Sequence, residues 1–162
     1  SQSYLFLLND SGSALLPTIT SRCQVLTLAS YSKQELKKLY PELPDYLLGF
    51  ANGNNSMLQE IMEQDSAGLF EKTYLTFVAW LKSHESKATL IAHLKNDMNQ
   101  QAFFIYLLER RVRQMLLKGF YKNANLALSE LTHFNFAQSQ IKGQNKELAL
   151  AALIEKLDVL VK

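Results

Sequence analysis

The chain has 162 residues, of which 48% are hydrophobic and 20% are charged, and its formal net charge is +2. This composition is typical of a globular protein and excludes a disordered chain, and the lack of an eighteen-residue apolar run argues against a transmembrane helix. Residues 1–70 carry four basic and seven acidic side chains, giving −3, whereas residues 71–162 carry thirteen and eight, giving +5. This asymmetry permits contact with nucleic acid or an acidic partner but does not require it.

Cysteine and histidine are too sparse for a structural cross-link. The single Cys23 cannot form an internal disulfide, and the three histidines are not spaced as zinc ligands. No signal-peptide pattern opens the chain, which together with the cysteine count favours a cytoplasmic protein. Because the chain starts almost directly on an apolar run and lacks an initiator methionine, we expect it to be part of a longer protein.

The first thirty residues predict a strand, a short helix and a second strand. The apolar run at residues 4–8 is typical of a buried strand, and residues 23–29 predict another. Between them, Pro17 suits the first turn of a short helix. Two strands alone do not form a stable sheet, so residues 1–29 are interpreted as the end of an α/β domain.

Three short helices are predicted between residues 30 and 66. Ser32 and Glu35 have the spacing of a capping box and start the first of them. The second helix is expected over residues 45–52, with Gly53 in the left-handed conformation after it. An asparagine at position 54 or 55 then caps the third helix, which runs to about residue 64.

Five longer helices are predicted beyond a boundary at the turn-forming residues 65–68. They are expected at residues 69–83, 86–96, 99–120, 122–140 and 144–161. The third of these is nearly apolar over its first half and is expected at the centre of a helical bundle. The predicted fold is therefore mainly α, with the end of an α/β domain at residues 1–29, a small helical domain at 30–66 and a helical bundle at 67–162.

The residues alone offer few candidates for chemistry. There is no phosphate-binding glycine loop, zinc-protease motif or nucleophile elbow, so a self-contained enzyme is not expected. Arg110 and Arg113 could contact phosphate from one helix face, but a solvated stripe is the favoured interpretation. Arg22 follows the short helix at the edge of an α/β layer, from which a guanidinium could reach a neighbour's phosphoryl group. Taken by itself, that position still favours a solvated turn.

Three stretches resemble a known family. An apolar run, a turn, Leu-Pro-Thr-Ile at residues 16–19 and Ser-Arg-Cys at residues 21–23 follow one another as in the AAA+ clamp-loader ATPases. Residues 50–63 are similar to the lid helices of that family. Residues 145–157 resemble the C-terminal pattern of its bacterial delta-prime type, with Ala151 where the pattern has glutamate.

The resemblance implies roles for individual residues. Arg22 would be an arginine finger, Ser21 and Cys23 would shape its turn, and Asn9 would lie near the sensor 1 position. Ser56 stands where ATP-binding subunits carry the sensor 2 arginine. A lid without that cation is expected to bind nucleotide poorly, so the subunit is not expected to hydrolyse ATP itself. No cofactor or metal is expected on this chain, and Arg22 would act on ATP and magnesium held by a neighbouring subunit.

The same resemblance implies an assembly. Residues 1–29 would end the AAA+ core, residues 30–66 would be the lid, and residues 67–162 would be a collar in a five-subunit ring. The implied partners are gamma/tau and delta subunits, with the sliding clamp and primed DNA engaged through the complex and no membrane involved. Two alternatives stay open: a gamma/tau-type ATPase, and a helical nucleic-acid-binding or adaptor domain.

Overall fold

A computed structural model describes residues 6–7, 16–26, 29–64, 66–95, 97–140 and 145–162. The chain forms two compact units, Ser1–Ser30 and Tyr31–Lys162. The described residues are mainly α-helical, as the sequence predicts. In chain order, their helices are α1 (Pro17–Thr20), α2 (Lys33–Leu39), α3 (Asp45–Ala51), α4 (Asn55–Glu63), α5 (Ala67–Leu81), α6 (Lys87–Leu94), α7 (Met98–Leu117), α8 (Tyr121–Gln140) and α9 (Asn145–Val161).

The predicted strand at residues 23–29 is wrong over its described part. Residues 23–26 are exposed and adopt no strand. A strand is stabilised by backbone hydrogen bonds to a neighbouring strand. The described residues contain no second strand that could supply those bonds. Of the first predicted strand, only Phe6 and Leu7 are described, and both are exposed. The rest of that run lies outside the described residues.

Helices α2 and α4 begin, and α3 ends, at local signals that the sequence carries. Ser32 caps α2 in a capping box, because its hydroxyl accepts from the Glu35 N–H at 3.3 Å while the Glu35 carboxylate accepts from the Ser32 N–H at 2.8 Å. The side-chain and backbone hydrogen bonds from Ser32 hold the pKa of the Glu35 carboxyl below its usual value. Asn52 and Gly53 have φ angles of 47° and 87°, so α3 ends one residue before its predicted end. Asn54 then caps α4.

Helices α5 and α7 end earlier than predicted because each closes in a left-handed turn. Ser83 has a φ of 58°, and the N–H groups of Ser83 and His84 donate back to the carbonyls of Trp80 and Ala79. After α7, Gly119 has a φ of 84°, and the two N–H groups at residues 119 and 120 donate back in the same pattern. Both turns are Schellman motifs, which satisfy carbonyls at a helix end.

One hydrophobic cluster runs through the second unit, from α2 to α9. Helix α7 contacts α5, α6, α8 and α9, in the central place that its apolar first half predicts. Rings from three helices meet around Phe103 of α7, which packs against Tyr46 and Phe50 of α3 and Phe70 of α5. The predicted boundary at residues 65–68 lies within this unit. The division into domains at 30–66 and 67–162 stays a prediction.

The end of α9 is held by side chains of two earlier helices. Trp80 of α5 donates its indole N–H to Asp158 at 2.7 Å, and Lys162 lies 2.7 Å from the same carboxylate. The guanidinium Nε of Arg111, on α7, donates to the carbonyl of Val161 at 2.8 Å. The Arg111 contact satisfies a carbonyl that a helix C-terminus otherwise leaves unpaired. None of the helices in the described ranges is both long and apolar enough to cross a bilayer.

Candidate functional site

The Ser-Arg-Cys stretch forms a turn directly after α1. Pro17 occupies the start of α1, where its missing N–H costs no hydrogen bond. The N–H of Ser21 donates to the carbonyl of Pro17 at 3.0 Å, and the N–H of Arg22 donates to the carbonyl of Ile19 at 3.0 Å. The Ser21 hydroxyl adds a bond to the carbonyl of Thr18 at 3.3 Å. The backbone that carries Arg22 is therefore ordered by bonds within six consecutive residues, Pro17 to Arg22.

The side chain of Arg22 points into solvent. It is exposed and, among the described residues, its guanidinium has no hydrogen-bond or ion-pair partner. Arginine stays charged at any physiological pH and carries five N–H donors in a planar fork. An exposed, unpaired guanidinium on an ordered turn is chemically suited to bind an anion supplied by another molecule. Cys23 beside it is a free, exposed thiol.

The other predicted residues belong to other parts of the chain. Asn9 lies outside the described residues. Ser56 is exposed and is the second residue of α4, so it belongs to the second unit, whereas Arg22 belongs to the first. Arg110 and Arg113 are both exposed on α7, as a solvated stripe requires.

The described ranges form no candidate metal site, and His93 packs against a neighbouring helix. They hold no group of three or more His, Cys, Asp or Glu side chains arranged to bind a metal ion. His93 instead contacts the hydroxyl of Thr73 at 3.0 Å, while that hydroxyl lies 2.9 Å from the carbonyl of Leu69. Burial, followed by the charge of Lys72, lowers the pKa of His93. This histidine is therefore a neutral packing residue near pH 7.

The second unit contains an open groove of about 600 Å³. Its walls come from the segment before α3, from α3 itself, and from the end of α4 and the start of α5. Most of the lining is apolar, but Glu42 and Glu71 also line it. The remaining lining residues are Leu43, Pro44, Tyr46, Leu47, Ile61, Met62, Ala67, Gly68, Tyr74 and Leu75. Sequence reasoning missed this groove.

No local pattern could have indicated the groove. Its two tyrosines, Tyr46 and Tyr74, stand on different helices, and their rings stack with centroids 4.3 Å apart and planes 12° from parallel. In the sequence each tyrosine is simply an aromatic residue of an amphipathic helix. Only the packing of α3 against α5 brings the pair together.

Comparison of the chain with protein-family models, with curated proteins and with solved structures finds no match in any of the three.

Proposed function

We propose that this chain acts as a delta-prime-type subunit of a bacterial clamp loader, and that Arg22 serves as an arginine finger for ATP bound by a neighbouring gamma/tau-type subunit. The observation that carries the proposal is the Ser21–Cys23 turn. It follows the family-like Leu-Pro-Thr-Ile stretch and is ordered by its own backbone hydrogen bonds. It presents to solvent a guanidinium that has no partner among the described residues. In this proposal the protein works in the cytoplasm as a non-hydrolysing member of a replication complex.

The mechanism follows from the chemistry of the guanidinium. As a γ-phosphoryl group is transferred, negative charge spreads over its oxygens, and a planar cation with parallel N–H donors stabilises that charge. The ordered backbone around Arg22 reduces the conformational entropy lost when the side chain engages. The serine at position 56 fits the same proposal, because a subunit whose lid lacks a cation at that position should bind nucleotide weakly.

An exposed apolar corner supports assembly with other subunits. Leu117, Phe120 and Tyr121, where α7 passes into α8, are 88%, 60% and 63% exposed. A cluster of large apolar side chains left in water is typical of a surface that another protein covers. In the proposed complex this corner belongs to the collar, through which subunits associate.

The test measures ATP hydrolysis by a complex assembled from the full-length subunits, with Arg22→Ala or Arg22→Lys in this chain. Removal of an arginine finger costs about 10³–10⁵ in rate at the affected site. Hydrolysis of the ATP bound by the neighbouring gamma/tau-type subunit is therefore expected to be nearly lost. Lysine should rescue little, because it lacks the planar fork.

Arg113→Ala is the matched control. Arg113 is also exposed and has no partner among the described residues, but it lies on α7. Its replacement should leave hydrolysis unchanged, and gel filtration should show that every variant still assembles. DNA-stimulated hydrolysis that is unaltered in the Arg22→Ala complex would overturn the proposal.

A further inference from the structure

The groove between α3, α4 and α5 combines an apolar lining with uncompensated negative charge. Glu42 and Glu71 are exposed carboxylates that line it, and neither has an ion-pair or hydrogen-bond partner among the described residues. Lys37 contacts the same loop, but it donates to the carbonyl of Leu43 at 2.8 Å and lies 3.8 Å from Asp45. The groove therefore presents two carboxylates that a cation from outside could pair.

The aromatic pair lies beside one of these carboxylates. Burial raises the pKa of Tyr46, and the charge of Glu71 raises it further, as does Tyr74. Because Glu71 and both tyrosines line the same groove, a guanidinium bound there can pair with Glu71 and also reach these rings. Arginine is better suited than lysine to this setting, because it stacks on aromatic rings and pairs with carboxylates through two parallel N–H groups.

Apolar side chains of the groove are available to an occupant. Met62 and Leu75 are 42% and 58% exposed, and both belong to the lining. A bound segment would remove them from water, which favours binding by about 25 cal/mol per Å² of apolar area. The lining thus favours an occupant that carries apolar side chains together with a positive charge.

We propose that this groove binds a short segment of a partner protein that presents an arginine flanked by apolar side chains. The two carboxylates would repel a nucleic-acid backbone or an acidic peptide, so a negatively charged partner is not expected in this groove. The inference rests on the second unit alone and does not depend on the function proposed for Arg22.

The probe is a capped tetrapeptide of sequence Leu-Arg-Leu-Leu, compared with matched peptides that carry glutamine or glutamate in place of arginine. Titration into the ¹⁵N-labelled full chain should shift the amide signals of Gly68, Glu71 and Leu75. The glutamine peptide should bind more weakly and the glutamate peptide should not bind. Replacing one groove carboxylate, in Glu42→Gln or Glu71→Gln, should weaken the arginine peptide about two- to five-fold, as expected for partly exposed ion pairs.

Gly68 allows the groove to be blocked without disturbing the fold. A Cβ at this position meets no atom within 4 Å, so a side chain can be added there. Gly68→Leu should abolish peptide binding, whereas Gly68→Ala should retain it. Both changes raise the helix propensity of α5, so loss of folding is not expected.

Glu63→Gln is the control for charge. Glu63 is exposed on α4 and does not line the groove, so this variant should bind the arginine peptide as the parent chain does. Three results would overturn the proposal: no binding of the arginine peptide, equal binding of the glutamine peptide, or binding that persists in Gly68→Leu. Amide shifts at the groove that depend on protein concentration without peptide would assign it to a second copy of the chain instead, and would also overturn it.

Discussion

Gly49 lies in the middle of α3, where helix propensity alone would favour alanine by about 1 kcal/mol. The structure explains the glycine by a close approach, because a Cβ at this position would overlap the hydroxyl oxygen of Tyr106. The ring of Tyr106 packs against Phe50 and Phe103, so it cannot swing away without disturbing the core. Steric exclusion at this one position therefore outweighs the local preference.

We expect Gly49→Ala to destabilise the protein by about 1 kcal/mol, since overpacking typically costs about 1–3 kcal/mol and the helix regains about 1. In a Tyr106→Phe background the nearest remaining atom is the ring carbon Cζ at 3.5 Å, which is ordinary contact. The same alanine should there be neutral or stabilising. Urea unfolding of the parent chain, the two single variants and the double variant gives the free energy of unfolding of each, and the double-mutant cycle gives the coupling between the two positions. An equal cost in both backgrounds would show that the hydroxyl is not the cause.

At the scale of the helix, α9 is attached to α5 through a charged hydrogen-bonded contact. Burial raises the pKa of Asp158, but hydrogen bonds from Lys162 and Trp80 and the nearby positive charges outweigh it, so the pKa lies below its ordinary value of 3.8. A carboxyl whose pKa is depressed by folding stabilises the protein above its unfolded pKa. That contribution is lost as pH falls through the folded pKa.

Asp158→Asn should therefore cost about 1 kcal/mol of stability near pH 7, where it removes the charge from two hydrogen bonds in a partly exposed site. The difference between the variant and the parent chain should shrink as the pH falls below the ordinary value of 3.8, because protonation neutralises the parent carboxyl as well. Denaturant unfolding of both proteins at a series of pH values measures this difference in the free energy of unfolding. Glu155→Gln, which breaks the more exposed ion pair with Lys87, is the control and should cost less. A cost of Asp158→Asn that is the same at every pH would contradict this explanation.

At the scale of the whole second unit, the core does not separate α2–α4 from the later helices. Phe103 is fully buried, and its ring contacts rings of both α3 and α5. Elements that share one packed core tend to unfold together. We therefore expect Tyr31–Lys162 to unfold as one cooperative unit.

Phe103→Leu tests this cooperativity. The smaller side chain should destabilise the unit by about 1–2 kcal/mol, as partial loss of a buried side chain does. Native-state hydrogen exchange should show the same loss of protection in α3 and in α7. Phe134→Leu, a buried change on α8, should lower protection in α3 as well. If α2–α4 kept their protection in that second variant, residues 30–66 would be a separately folding domain.

Local chemistry made part of this structure predictable. Ser32 and Glu35 start a helix because their hydrogen bonds span only three residues, and Gly53 takes a left-handed conformation that glycine adopts without strain. The end of α5 was missed because the left-handed residue there is Ser83, and serine is no signal for that conformation. The predicted strand at residues 23–29 failed over residues 23–26, since a strand depends on a pairing partner that no local pattern reveals.

By itself the sequence determined the helical character of the described residues, the helix starts set by side-chain caps, and the short helix from Pro17 that precedes Arg22. Each of these depends on residues within a few positions of one another, so the physical interaction is present in the local pattern. Only the tertiary structure decided that Tyr46 stacks on Tyr74 and that the Tyr106 hydroxyl leaves no room for a Cβ at Gly49. It also decided that Glu42 and Glu71 line one groove. These contacts join helices far apart along the chain, and they exist only once the shared core has brought those helices together.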